Sequence, residues 1–346
     1  MPNHDDIIAE IRNQRGSSLA ILGHHYQSDA VIAHTDIRGD SLELARKING
    51  LDAEYIVFCG VYFMAESAAI LRRSGQKILI PDTSASCPMA DMANAANAET
   101  VLSILNSAEQ RIIPLTYVNS SAAVKAVVGR FNGSVCTSAN AQTMMKWALA
   151  QGDGVLFLPD RHLAVNTANA LGVAEDERVI LNDNVIHGDP ALYVDASLAR
   201  GKRLIVWPGF CPIHEEFTVA DVARIRQTDP DAKIVVHPEC PPDVVSASDG
   251  NGSTSYLIRF AEKAPEGAII YMGTEENLVR RLAAEHAGRK TIIPLKASQC
   301  EDMGKITLEK LAAQLQSLDQ AEPVDVPDDV REPARAALER MLEVCS

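Results

Sequence analysis

The sequence has no CxxC pair, no Walker A phosphate loop and no GxGxxG string. The first absence removes the short-spaced thiols that usually advertise a metal centre, and the other two remove nucleotide-phosphate binding of the common types. No apolar run approaches the ~20 residues of a membrane span. The segment MPNHDDIIAE carries neither a basic stretch nor an apolar signal core. Basic charge is also scarce, with 32 Lys and Arg against 46 Asp and Glu and a formal net charge of -14. Nucleic acids and anionic membranes require clustered Lys and Arg, so neither is an expected partner. The remaining composition, 47% apolar and 23% charged, is that of a globular chain able to bury a substantial core. A cytoplasmic protein is expected.

What is present is a regular alternation of short apolar runs and helix patterns. An opening helix over Asp5–Gln14 sets Ile7, Ile8 and Ile11 on one face. Apolar runs at Ser17–Gly23, Glu54–Gly60 and Lys77–Asp82 are separated by helix patterns at Asp40–Gly50 and Met64–Gly75. Such alternation gives βαβ units and a parallel sheet. The layout recurs at Arg111–Asn119, Asn132–Asn140 and Gly154–Asp160, and again at Arg203–Gly209, Lys233–Glu239 and Ala268–Glu275. First strands begin near 19, 111 and 203, and both 111 − 19 and 203 − 111 give 92. A fixed period signals repeated units, so the fold class expected is α/β with three homologous units. Their limits are 1–100, completed by 319–346, then 101–200 and 201–318. A helix is expected over Thr307–Leu318, a polar linker over Asp319–Asp329 and a last helix over Arg331–Val344.

In parallel sheets ligands bind beyond the carboxyl ends of the strands, where loops turn into helix N-termini. Three of the seven cysteines fall there: Cys87, Cys211 and Cys300 each follow a strand shortly after it stops. A closed tetrahedral zinc site would need a fourth ligand such as His214. Three thiolates suit instead an iron–sulfur cubane with one iron left free. Cys59 and Cys136 read as small buried apolar residues within strand ends. The string GNGSTS, Gly250–Ser255, has the form of an anion cradle before a helix starting near Tyr256, although glycine and serine are equally turn and cap chemistry. Glu239 follows a buried strand, where partial desolvation can raise its pKa toward that of a working base; helix capping is the plainer alternative. His24 and His25 stand at the end of the first strand, with at least one expected to touch ligand.

The strings GHHYQ, GDSLELA, CGVYFMAES, PDTSASCPMADM, TYVNSS, CTSANA, WPGFCPIH, HPEC, GNGSTS, GTEENL and CEDMGKITLEKL follow in this order over residues 21–312. Together they resemble the quinolinate synthase family. The resemblance implies three homologous α/β/α domains around a pseudo-threefold axis with a 4Fe-4S cluster at their junction, its ligands falling on Cys87, Cys211 and Cys300. It places active-site residues on His24, Tyr26, Ser41, Tyr117, Asn119, Ser138, His214, His237, Glu239 and Thr254. The implied activity is that of a transferase that condenses iminoaspartate with dihydroxyacetone phosphate to give quinolinate, phosphate and two waters, in NAD biosynthesis. An L-aspartate oxidase or aspartate dehydrogenase is the implied supplier of iminoaspartate. Glu239 would move protons, with His214, His237 and Tyr26 orienting intermediates, while Ser41, Ser138, Asn119 and Thr254 hold carboxylate and phosphate. Another 4Fe-4S hydro-lyase, or a non-catalytic iron–sulfur protein that binds metabolites, would use the same residues. Two local features depart from the family pattern: Pro294 and Ala297 stand where some members carry further cysteines, so no regulatory disulfide is expected, and Gly304 stands where a lysine is expected.

Overall fold

The computed structural model of the chain describes residues 3–48 and 50–346. Among these, three wholly parallel sheets are built in sequence order. The first comprises β1 (Leu19–His24), β2 (Ile37–Gly39), β3 (Tyr55–Cys59) and β4 (Lys77–Leu79), in the order β2-β1-β3-β4. The second comprises β5 (Ile112–Tyr117), β6 (Ser134–Cys136), β7 (Gly154–Leu158), β8 (Arg178–Ile180) and β9 (Leu204–Val206), in the order β6-β5-β7-β9-β8. The third comprises β10 (Lys233–Val236), β11 (Gly250–Asn251), β12 (Ile269–Gly273) and β13 (Thr291–Pro294), in the order β11-β10-β12-β13. One four-strand order thus occurs three times, with β8 as an addition at the edge of the second. Every residue of β1, β3, β5 and β7 is buried, as expected of parallel strands covered by helices on both faces. The α/β class with three repeated α/β/α layers is therefore observed.

Three sequence expectations need correction. Arg203–Gly209 does not open a third unit, because β9 pairs with β7 and β8 as the fourth strand of the second sheet. The third sheet starts at Lys233, so the even 92-residue period does not hold and the boundary at 200/201 cuts through a sheet. The segment 301–318 does not stay with the third sheet either. Its helix Leu308–Gln316 packs on the opening helix His4–Arg15, and Leu311, Ala312 and Leu315 join a core continuous across the first and second sheets. The C-terminal segment completes the first sheet only in part. Val324 N donates to Ile78 O at 2.8 Å, but the helix Asp328–Val344 then lies against the helix Ala122–Arg130 and β6 of the second sheet. The helix expected over Asp40–Gly50 runs Ser41–Ile48; Asn49 lies outside the described residues.

Why the last helix can sit so close is visible at Gly129. A Cβ there would fall on the backbone carbonyl of Pro333. The contact is sealed by Ser134 Oγ, which donates to Ala337 O at 3.2 Å, and by Arg340, which donates to Gly133 O. Replacing Gly129 by valine forces these helices apart, and overpacking of this kind costs about 1–3 kcal/mol. Urea unfolding of the apo chain should show the loss; an unchanged midpoint would mean that the helices do not touch here.

Candidate active site

Each of the three loops that follow a fourth strand is built alike. Cys87 immediately precedes the one-turn helix Pro88–Asp91, Cys211 precedes Pro212–Glu215, and Cys300 precedes Glu301–Gly304, each cysteine with extended backbone. Proline suits the first helical position in two of them, since its missing N–H is unpaired there in any helix. The three turns are tied to one another. Trp207, fully buried, donates its Nε1–H to Met92 O at 2.7 Å, which ties the Cys211 turn to the segment after Cys87. Ser86 donates from N and Oγ to Asp302 Oδ1 at 3.2 and 3.3 Å, which ties the Cys300 turn to the segment before it. Lys305 Nζ reaches Ser84 O at 2.8 Å and Lys310 pairs with Asp82. A Cβ on Gly304 would meet nothing within 4 Å, and the adjacent Lys305 supplies the ammonium of this turn.

The loops enclose one pocket of about 710 Å³, open solvent included, lined by the three cysteines and every active-site residue that the resemblance implies, while His25 does not line it. At its centre Glu239 is 4% exposed and lies between two imidazoles. Its Oε2 is 2.7 Å from His214 Nδ1 and 3.3 Å from His237 Nδ1, and the two rings lie 4.8 Å apart. The outer ring nitrogens are also engaged, His214 Nε2 with Thr274 Oγ1 and His237 Nε2 with Ser138 Oγ, both at 3.2 Å. Burial alone would push the Glu239 carboxyl up, but His237 and His214 overcome it and hold the group well below the usual carboxylate range. This reverses the expectation of a raised pKa, for which desolvation without those partners was the premise. Burial lowers His214 in turn, against the pull of Glu239, and its Nδ1 also lies 3.2 Å from Cys211 Sγ. The phenols of Tyr26 and Tyr117 are raised well above 10, first by burial and then by Glu239, and both remain protonated donors.

The chemistry of the donor set fits a metal centre. Cys87, Cys211 and Cys300 face the pocket, and burial raises all three thiols, Cys300 to about 11. A thiolate is costly in such surroundings unless a cation replaces its proton. The four other cysteines do not line the pocket. Cys211, His214 and Glu239 also present ligand atoms within 4.8 Å of one another, a set able to hold a metal ion.

Comparison with known proteins assigns the architecture. The family described as quinolinate synthetase A protein matches residues 6–343. The chain belongs to this family. Among similar proteins are the quinolinate synthases of Geobacillus sp. (strain WCH70), 45% identical over 97% of this chain and 92% of the relative, and of Acidobacterium capsulatum, 42% identical over 99% and 94%. That of Corynebacterium glutamicum is 41% identical over 97% and 86%. No helix among the described residues is long and apolar enough to cross a membrane.

Within the quinolinate synthetase A family frame, the pocket shows residues that sequence reasoning passed over. Glu275, in the string GTEENL, lines the pocket, and burial pushes its carboxyl up to about 7. Thr274 bridges the site, its Oγ1 lying 2.6 Å from Tyr26 OH and 3.2 Å from His214 Nε2. The GNGSTS cradle divides its hydroxyls: Ser253 caps the helix, which starts at Thr254 rather than Tyr256, and Ser255 donates to Asp40 Oδ2 at 2.9 Å. Thr254 Oγ1 alone is buried without a partner, at the pocket wall. Beneath the loop that carries Tyr117 and Asn119, the fully buried Lys125 donates to Val118 O at 2.8 Å and to Ser120 O. Burial lowers this ammonium to about 8, which keeps it mostly charged at neutral pH. The signal for Lys125 was absent, since a lysine on a helix ordinarily reads as solvated.

His24 gives the site a pH signature. Burial, with the neighbouring imidazoles of His25 and His237, pushes it down to about 3, against 6.5 in an unfolded chain. Between these values the unfolded chain binds a proton that the folded chain refuses. The contribution is therefore whole above pH 6.5 and is lost as pH falls toward 3, at up to about 1.4 kcal/mol per pH unit. In urea titrations at pH 7.5 and 5, the wild-type chain should lose about 2 kcal/mol more than His24→Gln. Equal losses would show that His24 titrates as it does in water.

Proposed function

We propose that this pocket condenses iminoaspartate with dihydroxyacetone phosphate to form quinolinate, phosphate and two waters, the quinolinate-forming step of NAD biosynthesis. The observation that carries the reading is the convergence of Cys87, Cys211 and Cys300, one from each sheet, on the pocket that holds Glu239. These thiolates would hold a 4Fe-4S cluster, which when bound supplies an open iron as Lewis acid toward a substrate oxygen. The chain's own groups supply the rest. Both substrates are anions, yet no Lys or Arg among the described residues lines the pocket. Ser41, Asn119, Ser138 and the unpartnered Thr254 hydroxyl provide neutral donors for carboxylate and phosphate. Protonated Tyr26 and Tyr117 add two donors that carry no charge. Glu239 accepts and returns protons. Its depressed pKa in the resting site rises when anionic substrate settles beside it, since a like charge disfavours the carboxylate. His214 and His237 hold that carboxylate in one orientation. All seven cysteines are free thiols, which suits a cytoplasmic, reducing setting, and iminoaspartate would come from an aspartate-oxidising enzyme.

A second reading, a single metal ion on Cys211, His214 and Glu239, draws on their close spacing. Iron and sulfide analysis of anaerobically purified protein separates the two, with about four irons and four sulfides per chain expected. The same preparation should form quinolinate from the two named substrates. Glu239→Gln should lower kcat by about 10²–10⁴ with the visible absorbance intact, and Cys211→Ser should lose both absorbance and turnover. Full turnover in Glu239→Gln would remove proton transfer from this carboxylate, and a cluster-loaded wild-type chain without turnover would favour a protein that only binds metabolites.

A further inference from the structure

We infer that Asn277 and Arg281 are positioning residues for this pocket: from a helix of the third sheet's layer they clamp the backbone that carries His24 and Tyr26 in the first. The inference rests on the function proposed above, and it names how that site is kept in shape. Both residues lie in the helix Glu276–Glu285, four positions apart and so on one face. Asn277 Nδ2 donates to Tyr26 O at 3.1 Å. Arg281 NH1 donates to His25 O at 2.9 Å, its NH2 to Gln27 O, and its Nε to Asp29 Oδ1 at 2.6 Å. Three consecutive carbonyls and the carboxylate that follows them are thus held by two side chains.

The geometry suits fixing a loop more than neutralising a charge. Arg281 is 7% exposed, and its planar fork directs several N–H groups at acceptors whose relative positions it thereby sets. Tyr26 leaves this clamp to place its hydroxyl 2.6 Å from Thr274 Oγ1, and His24, whose O accepts from Gln27 N at 3.0 Å, lines the same pocket. The bonds run from the third sheet's layer to the first sheet's loop, as does the separate bond from Ser255 to Asp40 beside Thr254 and Ser41. Neither Asn277 nor Arg281 lines the pocket itself, so their effect on substrate must pass through the loop.

The test uses the full chain with Arg281→Met, Arg281→Lys and Asn277→Leu, each also crossed with Tyr26→Phe. In the apo protein, hydrogen exchange of amides 24–28 should quicken at least about tenfold in Arg281→Met. In the loaded protein, kcat/KM should fall about ten- to a hundredfold with iron content and visible absorbance unchanged. Removing the Tyr26 hydroxyl should then cost much less in the Arg281→Met background than in wild type, because a misplaced hydroxyl has little left to lose. Arg281→Lys should recover only part of both readouts, and Asn277→Leu should shift both in the same direction by less. These last two variants decide the matter if Arg281→Met does not fold. Unchanged exchange, fully additive losses with Tyr26→Phe, or full recovery by lysine would each overturn the clamp. A wild-type chain that makes no quinolinate would overturn the proposed reaction instead, while the exchange result still judges the clamp.

Discussion

The segment from Ser84 to Met92 is the part on which the rest of the site depends. Cys87 lies at its middle, and the other two cysteine turns are fastened to it from opposite ends, through the Trp207 indole on Met92 O and through the Asp302 carboxylate on Ser86. Gly209 shows how little slack remains, because a Cβ there would crowd Pro159 O and the Met92 side chain. A metal centre held by three distant cysteines needs this closeness before it can form. Each of these cysteines is partly buried and its thiol desolvated, and a thiolate there is tolerable only when a shared cation offsets its lost hydration.

The same economy of charge runs through the pocket. A cationic lining would draw the Glu239 pKa down still further, since an opposite charge favours the carboxylate. The structure keeps full positive charge one layer back, in Lys125 beneath the Tyr117–Ser120 loop and Arg281 behind the His24–Gln27 loop, each spent on backbone carbonyls. What lines the pocket is a set of hydroxyls, an amide, two protonated phenols, His24, the Glu239–His214–His237 group, the carboxyls of Asp40 and Glu275 and the three cysteines. Directed neutral donors read shape and number of acceptors more closely than a hydrated point charge does. The arrangement gives an acidic protein directed hydrogen-bond donors in its pocket without a basic lining.

Much of this was legible in the chain because parallel sheets put chemistry in a known place. Apolar runs such as Ile112–Tyr117 and Gly154–Leu158 mark central strands, and the polar strings after them must then meet at one end. His24, Tyr117, Ser138 and the three cysteines were found that way. Their convergence on one pocket follows from the threefold recurrence of the strand order, which local alternation foreshadows.

The sequence by itself determined the α/β class, the family and the residues at the strand ends, because periodicity and motif spacing are properties of neighbouring residues. Only the tertiary structure decided that β9 closes the second sheet, that the last helix leaves the first sheet for the second, and that two imidazoles draw the Glu239 pKa down where burial alone would raise it. It likewise decided that Lys125, Asn277 and Arg281 are structural donors rather than solvated side chains. Each of these depends on which partner lies within about 3 Å and how much water is excluded from the pair. Those quantities arise between segments as far apart in sequence as Tyr26 and Asn277, where no local pattern reaches.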